Sequence, residues 1–320
     1  MDFFIGIDLG GTNIVSGVVN SNYQIISKAK KKTNLPRSSE EIIQDMYATV
    51  LEAAEKANLF LDQIKYIGIA IPGVVDSKNG VVPYSNNLQF YDVHISDRMH
   101  ELTDLPVFID NDANAAALGE FSVRKDQGIN NLVAITLGTG VGSGAIVDGR
   151  LIRGFNSAAS ELGHTVIKFE GYPCTCGRKG CFEVYASATG LIRLTKEKMQ
   201  KEKDSLMWEL VDNSIDKVDG QTPFDALRQG DSAAKDVVDL YLKYLACGIT
   251  NAVNTFQPEI ICIGGGVSNQ GLALIDPITK ILSKKSFSRY CKEQTKVVTA
   301  VLGNDAGLIG AAMLGLEEVL

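Results

Sequence analysis

Residues 3–19 read FFIGIDLGGTNIVSGVV, an apolar run of strand length followed by a glycine-rich turn and a second apolar run. Residues 132–147, LVAITLGTGVGSGAIV, repeat this arrangement, and Gly10 matches Gly138 at an offset of 128 positions. Two unrelated apolar hairpins could look alike. The matched glycines nevertheless favour the duplication of one domain plan.

Strands alternate with helices along the rest of the chain. Ser39 is expected to cap the first helix, and residues 200–232 are expected to form a less regular insertion. The alternation of strands and helices predicts an α/β fold with mostly parallel sheets. A length of 320 residues fits two domains. Further strand-like runs lie at 66–73, 105–111 and 259–266, and hydrophobic periodicity predicts helices over 39–57, 113–122, 186–202, 233–254 and 305–316.

The composition is that of an ordinary globular protein, with 45% hydrophobic and 22% charged residues. A net charge of −7 disfavours nucleic acid and membrane surfaces as partners, because both are anionic. The N-terminus has no signal-peptide pattern, and no apolar stretch approaches the roughly 20 residues that span a bilayer. We therefore expect a cytoplasmic protein whose six cysteines are reduced thiols or metal ligands.

Three glycine-rich turns follow predicted strands. In the first, glycines allow backbone N–H groups to approach an anion, and the preceding aspartate could hold a divalent cation through water. A plain hairpin is the alternative for that segment alone. The Walker lysine and the dinucleotide G-x-G-x-x-G spacing are both absent, which disfavours those two kinds of nucleotide site. Three glycine-rich turns at strand ends nevertheless predict one extended ligand with phosphates. The turns comprise Asp8, Gly10, Gly11, Thr12 and Asn13; residues 138–144; and residues 264–266.

A carboxylate-rich segment, DNDANAAA at 110–117, joins a predicted strand to an alanine-rich helix. Asp112 or Asn111 could serve only as the N-cap of that helix. The carboxyl end of a strand is also where open α/β sheets bind ligands. Asp112 is therefore a candidate base for a substrate hydroxyl.

The segment 161–183 combines ELGH with CTCGRKGCFE. Three cysteines within eight residues, with His164 as a fourth ligand, suit a tetrahedral structural zinc, and free thiols in a loop are the alternative. The metal would fix Glu161, His164 and Glu183 around one point. Carboxylates and an imidazole N–H suit a polyol, whose hydroxyls both donate and accept hydrogen bonds.

Together these residues resemble the ROK family of bacterial sugar kinases, in the actin-like ATPase superfamily, and its glucokinases most of all. The motifs that carry the resemblance are DLGGTN at 8–13, IPG at 71–73, SNNL at 85–88, DNDANAAALGE at 110–120, LGTGVGSG at 137–144, ELGH at 161–164, CTCGRKGC at 174–181 and IGGG at 263–266.

The resemblance implies two lobes of the actin-like ATPase (ribonuclease H-like) fold with a cleft between them. The small N-terminal lobe would comprise 1–114 and 305–320, and the large C-terminal lobe with the zinc site would comprise 115–304. The resemblance also implies ATP, Mg²⁺ and a structural Zn²⁺ as cofactors, a hexose as substrate, and a homodimer. Some family members are repressors with a DNA-binding segment, and the early position of Asp8 disfavours that version.

By position, the resemblance makes Asp112 the catalytic base that takes a proton from the sugar 6-hydroxyl. The expected reaction is glucose phosphorylation, with N-acetylmannosamine, allose or another hexose as alternative substrates and a non-catalytic sugar sensor as the alternative class. The implied sugar-binding residues are Gly73, Asn87, Asn111, Asp112, Glu161, His164 and Glu183. The implied nucleotide-binding residues are Asp8, Gly10, Gly11, Thr12, Asn13, Thr139, Gly140, Gly265 and Gly266. The implied zinc ligands are His164, Cys174, Cys176 and Cys181.

Overall fold

The computed structural model describes residues 1–317. Its strands are β1 Phe3–Leu9, β2 Asn13–Asn20, β3 Ile25–Lys32, β4 Ile64–Ile71, β5 Val74–Asp76, β6 Val81–Ser85, β7 Phe90–Val93, β8 Val107–Asn111, β9 Leu132–Leu137, β10 Val141–Val147, β11 Arg150–Leu151, β12 Ile260–Gly264 and β13 Lys296–Thr299. Its helices are α1 Ser39–Lys56, α2 Ile95–His100, α3 Asp112–Ser122, α4 Glu183–Ala186, α5 Ala188–Lys201, α6 Met207–Leu210, α7 Thr222–Arg228, α8 Ser232–Phe256, α9 Leu272–Lys285 and α10 Ala306–Glu317.

Two five-stranded sheets have corresponding strand orders, β3-β2-β1-β4-β8 and β11-β10-β9-β12-β13. In the first, β1 pairs antiparallel with β2 and parallel with β4, which pairs parallel with β8. In the second, β12 and β13 are parallel. β1 ends at Leu9 and β9 at Leu137, 128 positions apart, as a duplicated plan predicts. The α/β class is confirmed.

The local predictions hold with small shifts at element ends. The N-cap of α1 is Ser38, not Ser39. The Ser38 side chain accepts the Glu41 N–H, and the Glu41 carboxylate accepts the Ser38 N–H. This reciprocal capping box needs a glutamate three residues after the cap, and only Ser38 has that spacing. The expected insertion at 200–232 contains the short helices α6 and α7.

The chain divides into two compact units. One consists of residues 1–132, 144–160 and the described residues from Val301 onward, and the other of 133–143 and 161–300. The lobe boundaries predicted from the sequence, 1–114 with 305–320 and 115–304, stay predictions, and residues 318–320 lie outside the described part. Within residues 1–317, no helix combines the length and apolar composition that crossing a membrane requires.

Helix α10 lies with its backbone directly against the backbone of β4 and α3. A Cβ built at Gly68 would lie 1.8 Å from the Ala311 carbonyl oxygen, and one at Gly310 would lie 1.6 Å from the Ala115 carbonyl oxygen. Real Cβ atoms never approach so closely, so glycine is required at both contacts. This close packing places the start of α10 beside Asp8 near the end of β1, one of the candidate site residues.

Gly310→Ala should therefore destabilise the protein, although alanine ordinarily favours a helix over glycine. The methyl group would push α10 away from α3, and overpacking of this kind costs about 1–3 kcal/mol. Urea unfolding followed by circular dichroism measures the change. Gly220→Ala is the control, because a Cβ there meets no atom within 4 Å. A Gly310→Ala protein as stable as the wild type would contradict the contact.

Candidate active site

The first glycine turn joins β1 to β2. The Gly10 N–H donates to the Asn13 carbonyl oxygen at 2.9 Å. Thr33 fixes the turn from outside: its hydroxyl donates to the Gly10 oxygen at 2.7 Å and its N–H to the Thr12 oxygen at 3.0 Å. Gly11 and Thr12 are exposed at the tip. Thr33 thus holds the turn in place, and the tip of the turn is accessible to a ligand.

Asn13 has a buried side-chain amide oxygen without a hydrogen-bond partner among the described residues. Buried polar atoms are nearly always satisfied, so an orphan at a turn of this kind indicates a group that a ligand completes. A metal-bound water or another hydroxyl donor would satisfy it. The residues at this turn therefore fit a hydrated phosphate ligand.

Asp8 stands at the end of β1, against the first turn of α10. A Cβ at Gly307 would lie 3.2 Å from an Asp8 carboxylate oxygen, so the carboxylate rests on the α10 backbone. Burial, followed by the charges of Asp112 and Asp305, raises the pKa of Asp8 to about 6. The charges of Asp112 and Asp305 thus reach Asp8, and a divalent cation bound to the Asp8 carboxylate would offset them.

The structure decides which residue caps α3. Asn111 is the N-cap, and its side-chain oxygen accepts the N–H groups of Ala113 and Asn114 at 2.8 and 3.2 Å. Its side-chain nitrogen donates to the Gly73 oxygen at 2.9 Å. Asp112 is therefore the first residue of the helix and is not needed as the cap. Burial raises the pKa of the Asp112 carboxyl, and the Ala113 N–H, at 2.9 Å, opposes that rise.

Asp110, Arg153 and Asp305 were not among the sequence-predicted site residues. The Asp110 side chain is only 2% exposed, and it accepts the Arg153 Nε at 2.6 Å and the Asn114 Nδ2 at 2.9 Å. Asp110 thereby holds the strand end that carries Asn111. The motif DNDAN contains Asp110, but its partner Arg153 lies 43 residues away and carries no recognisable local signal.

Two further predicted sugar residues, Gly73 and Asn87, lie near these groups. Gly73 has φ +117°, which side-chain-bearing residues rarely adopt, and a Cβ there would lie 2.4 Å from the Tyr84 oxygen. A Cβ at Gly11 would lie 3.4 Å from the Asn87 oxygen. The structure thus brings Asn87 next to the first glycine turn, and Gly73 next to Asn111.

In the other unit, the second glycine turn is tied to Glu183. The Val141 N–H donates to Glu183 Oε2 at 3.0 Å, and a Cβ at Gly140 would lie 2.4 Å from the same oxygen. The Thr139 oxygen accepts the Thr189 hydroxyl at 2.8 Å, which attaches the turn to the start of α5. Glu183, predicted as a sugar ligand, is therefore also part of the support of this turn.

The third glycine turn follows β12. Gly265 has φ +83°, and a Cβ there would lie 2.4 Å from the Leu137 oxygen, so only glycine allows this approach to β9. A Cβ at Gly266 would meet nothing within 4 Å. Gly265 is thus required by packing, whereas Gly266 presents bare backbone to open space. The structure places both beside the end of β9, from which the second turn departs.

Four predicted zinc ligands come together. The ligand atoms of His164, Cys174, Cys176 and Cys181 all lie within 4.8 Å of one another. Nδ1 of His164 is 3.6 Å from the Cys174 sulfur, and the Cys176 and Cys181 sulfurs are 3.7 Å apart. Tetrahedral zinc with bonds of 2.0–2.3 Å has ligand–ligand edges of about 3.5–3.8 Å. The composition of the cluster and its contacts at 3.6 and 3.7 Å therefore suit a structural zinc.

This cluster adjoins the predicted sugar ligands of the same unit. Because Nδ1 of His164 faces the sulfurs, its other ring nitrogen is left for a second partner. Glu183 Oε1 lies 4.0 Å from the Cys174 sulfur. A Cβ at Gly163 would lie 2.3 Å from the Val141 oxygen, which fixes the ELGH segment against β10. Glu161 is exposed at the start of that segment.

The ROK family model matches residues 4–318. The chain belongs to the ROK family. The glucokinase of Thermotoga maritima is 35% identical over 316 residues, which are 98% of each protein. A solved ROK family glucokinase from Streptomyces griseus, in complex with glucose and AMPPNP, is 35% identical, covers 98% of both chains and has a TM-score of 0.78. The expected actin-like ATPase fold is confirmed.

Repressors also occur among the relatives of this ROK protein. The xylose repressor of Caldicellulosiruptor bescii is 28% identical over 320 residues, which are 99% of this chain and 78% of the repressor. The family therefore includes both kinases and transcriptional regulators. The residues at the site must decide between the two.

Asp8→Asn should stabilise this ROK protein when Mg²⁺ and nucleotide are absent. The folded-state pKa of Asp8 is raised from 3.8 to about 6, so its protonated form is favoured by folding. That stabilisation is complete below pH 4 and is lost as the pH rises through about 6. At pH 8 we expect the variant to be more stable by up to about 3 kcal/mol, and at pH 4 to equal the wild type.

Urea unfolding at the two pH values measures both differences. Asp62→Asn is the control, since Asp62 is exposed on the same unit. A loss of stability on Asp8→Asn at pH 8 would mean that the Asp8 carboxylate makes favourable contacts that outweigh its burial.

Proposed function

We propose that this ROK protein is an ATP-dependent hexose kinase that converts glucose and ATP into glucose 6-phosphate and ADP. One observation carries the assignment: Asn111 caps α3, so the half-buried Asp112 carboxylate at the strand end is not needed as the cap. Asp8 and Asp112 are close enough for their charges to interact. A base beside a phosphate turn is what phosphoryl transfer to a hydroxyl requires.

The relatives support both substrates. The T. maritima relative is a glucokinase, and the S. griseus glucokinase structure contains glucose together with the ATP analogue AMPPNP. Both are 35% identical to this chain over nearly its whole length. We therefore favour glucose over N-acetylmannosamine, allose and other hexoses.

Asp112 would accept the proton of the sugar 6-hydroxyl as that oxygen attacks the γ-phosphorus. The new O6–P bond forms while the bond between the γ-phosphorus and the β,γ-bridging oxygen breaks, and ADP leaves with the electron pair. A raised pKa suits this role, because a base works best when its pKa approaches the operating pH. The Ala113 N–H, which donates to Asp112 Oδ1, holds the carboxylate in one orientation.

The hexose hydroxyls would bind both amide and carboxylate side chains. We assign Asn87, Asn111, Glu161, His164 and Glu183 to the sugar. Gly73 would contribute through its conformation, since the Gly73 oxygen positions Asn111. A mixed set of donors and acceptors matches a polyol.

The phosphates of ATP would bind the first two glycine turns. Gly11, Thr12 and Asn13 would face the phosphates in the first turn, whose shape Gly10 fixes by donating its N–H to the Asn13 oxygen, and Thr139 with Gly140 would do so in the second. Gly265 and Gly266 would lie against the adenosine. Asp8 would hold hydrated Mg²⁺, which neutralises charge on the β- and γ-phosphates when bound.

We further propose that the four-residue cluster holds one structural zinc. Its protein ligands fill all four positions, so the metal would have no free position for catalysis. By fixing Nδ1 of His164 and the loop that precedes Glu183, it would orient two sugar ligands. The cytoplasmic location and the homodimer stay predictions.

Purified protein should release ADP from MgATP in the presence of glucose, and more slowly with mannose, fructose, allose, N-acetylglucosamine or N-acetylmannosamine. Asp112→Asn should lower kcat on glucose by about 10²–10⁴-fold, since a positioned base contributes that much. It should leave glucose binding, measured by calorimetry, close to that of the wild type.

Near wild-type turnover by a folded Asp112→Asn protein would remove Asp112 from the base role. A preference for another hexose would replace glucose but keep the kinase. Silence of the wild type on all six sugars would favour a different phosphate donor, such as polyphosphate, or the non-catalytic sensor.

Elemental analysis of the purified protein should find about one zinc per chain. Cys181→Ser should lose most of it and lower the melting temperature, because Cys181 is buried and a structural zinc contributes folding energy. Cys291→Ser is the matched control, since Cys291 is an exposed free cysteine outside the cluster. Wild-type protein without zinc, or a Cys181→Ser protein that keeps it, would contradict the assignment.

A further inference from the structure

Strand β3 carries a row of lysines in a chain whose net charge is −7. Its last five residues read KAKKK, and Lys28, Lys30, Lys31 and Lys32 are all exposed. β3 is the edge strand of its sheet, where lysines also discourage pairing with other chains. Blocking such pairing does not depend on which face of the strand a lysine occupies. A difference between the lysines on the two faces of β3 would therefore indicate a further function.

The two faces of β3 differ in what they contact. On the face towards α1, Ala29 is 1% exposed, and Lys31 forms an ion pair with Asp45. Lys28, on the opposite face, pairs with Asp305 at 2.5 Å. Lys30 and Lys32 lie on the same face as Lys28, and neither side chain has a hydrogen bond or ion pair with another described residue. Two positive charges on this face are therefore uncompensated.

The strand register aligns these two lysines with the first glycine turn. Lys32 is directly opposite Asn13, the last residue of the turn, and Lys30 is opposite Val15, which is in turn opposite Asp8. Directly opposite residues in antiparallel strands project from the same face. Asp8, Asn13, Lys30 and Lys32 therefore share one face, with the Cα atoms of Asp8 and Lys30 about two strand spacings, or 10 Å, apart.

Hydrogen bonds also join the segment just after β3 to the first glycine turn, past the end of the pairing between β2 and β3. Thr33, the residue after Lys32, donates hydrogen bonds to the oxygens of Gly10 and Thr12. Lys32 is thus held at the level of the turn, and Lys30 at the level of Asp8. The turn itself, DLGGTN, contains no cationic residue. A bound polyphosphate chain would need cations from elsewhere to offset its charge.

We propose that Lys30 and Lys32 bind the phosphate chain of the donor nucleotide from the β3 side. This inference rests on the proposed function, because it takes the glycine turn to be a phosphate site. Lys32 would contact phosphate oxygens at the tip of the turn. Lys30, which lies at the level of Asp8, would contact phosphate oxygens further from the tip of the turn. The lysines bind through charge, so their contribution should grow with the number of phosphates and weaken with salt.

The double variant Lys30→Gln/Lys32→Gln tests the proposal by calorimetry on the full-length protein with Mg²⁺. We expect the Kd of AMPPNP to rise about 10-fold at low salt, since two exposed charge contacts would be lost. The increase should shrink in 0.5 M NaCl. The Kd values of adenosine and of glucose should stay within 2-fold of the wild type, which also shows that the variant is folded.

Lys31→Gln is the matched control, because Lys31 lies on the same strand but on the other face. An unchanged AMPPNP affinity in the double variant would overturn this inference alone. So would an equal loss in Lys31→Gln, because the effect would then reflect the overall charge of the strand. If the wild type binds no AMPPNP, the proposed function fails and this inference fails with it.

Discussion

The contact between the backbones of α10 and its neighbours is the constraint on which the first unit depends. Gly68 and Gly310 allow carbonyl oxygens of adjacent elements to approach where any side chain would collide. Gly119 of α3 adds a third such contact, since a Cβ there would lie 2.5 Å from the Ala306 oxygen. The approach fixes α10 antiparallel to α3, with the start of α10 against the last turns of α3 and Gly307 against Asp8 near the end of β1. Asp112 is the first residue of α3 and Asp305 precedes α10, and the charges of both act on Asp8.

Placing these carboxylates together has an electrostatic cost, which shows in the raised pKa of Asp8. A fold selected for stability alone would separate them or replace them with neutral residues. Perturbed carboxyl groups of this kind are typical of functional sites. Close packing without side chains provides the rigidity that keeps the groups together, and a bound cation would relieve their repulsion.

Local sequence patterns predicted the elements and indicated most of the candidate site residues. The hairpins, α1, α8 and the four metal-ligand candidates depend on spacings of at most about 25 residues, and such spacings can be recognised without a structure. The cap of α1 could have been assigned correctly as well, because the S-x-x-E pattern fits Ser38 and Glu41. Pairings over long distances could not: Asp110 with Arg153, and Lys28 with Asp305, join segments separated by 43 and 277 residues. No periodicity or motif connects such segments.

The same pairings separate structural carboxylates from chemically available ones. Asp110 is bound by Arg153, and Asp305 by Lys28, so each negative charge has a cation beside it. Neither Asp8 nor Asp112 forms an ion pair with any residue in the described part of the chain. A buried carboxylate without a cation is costly unless a ligand or a proton compensates it. Asp8 and Asp112 are therefore acids of the candidate site whose charges no cation in the described residues offsets, which is why we propose them for a metal ion and for a proton of the substrate.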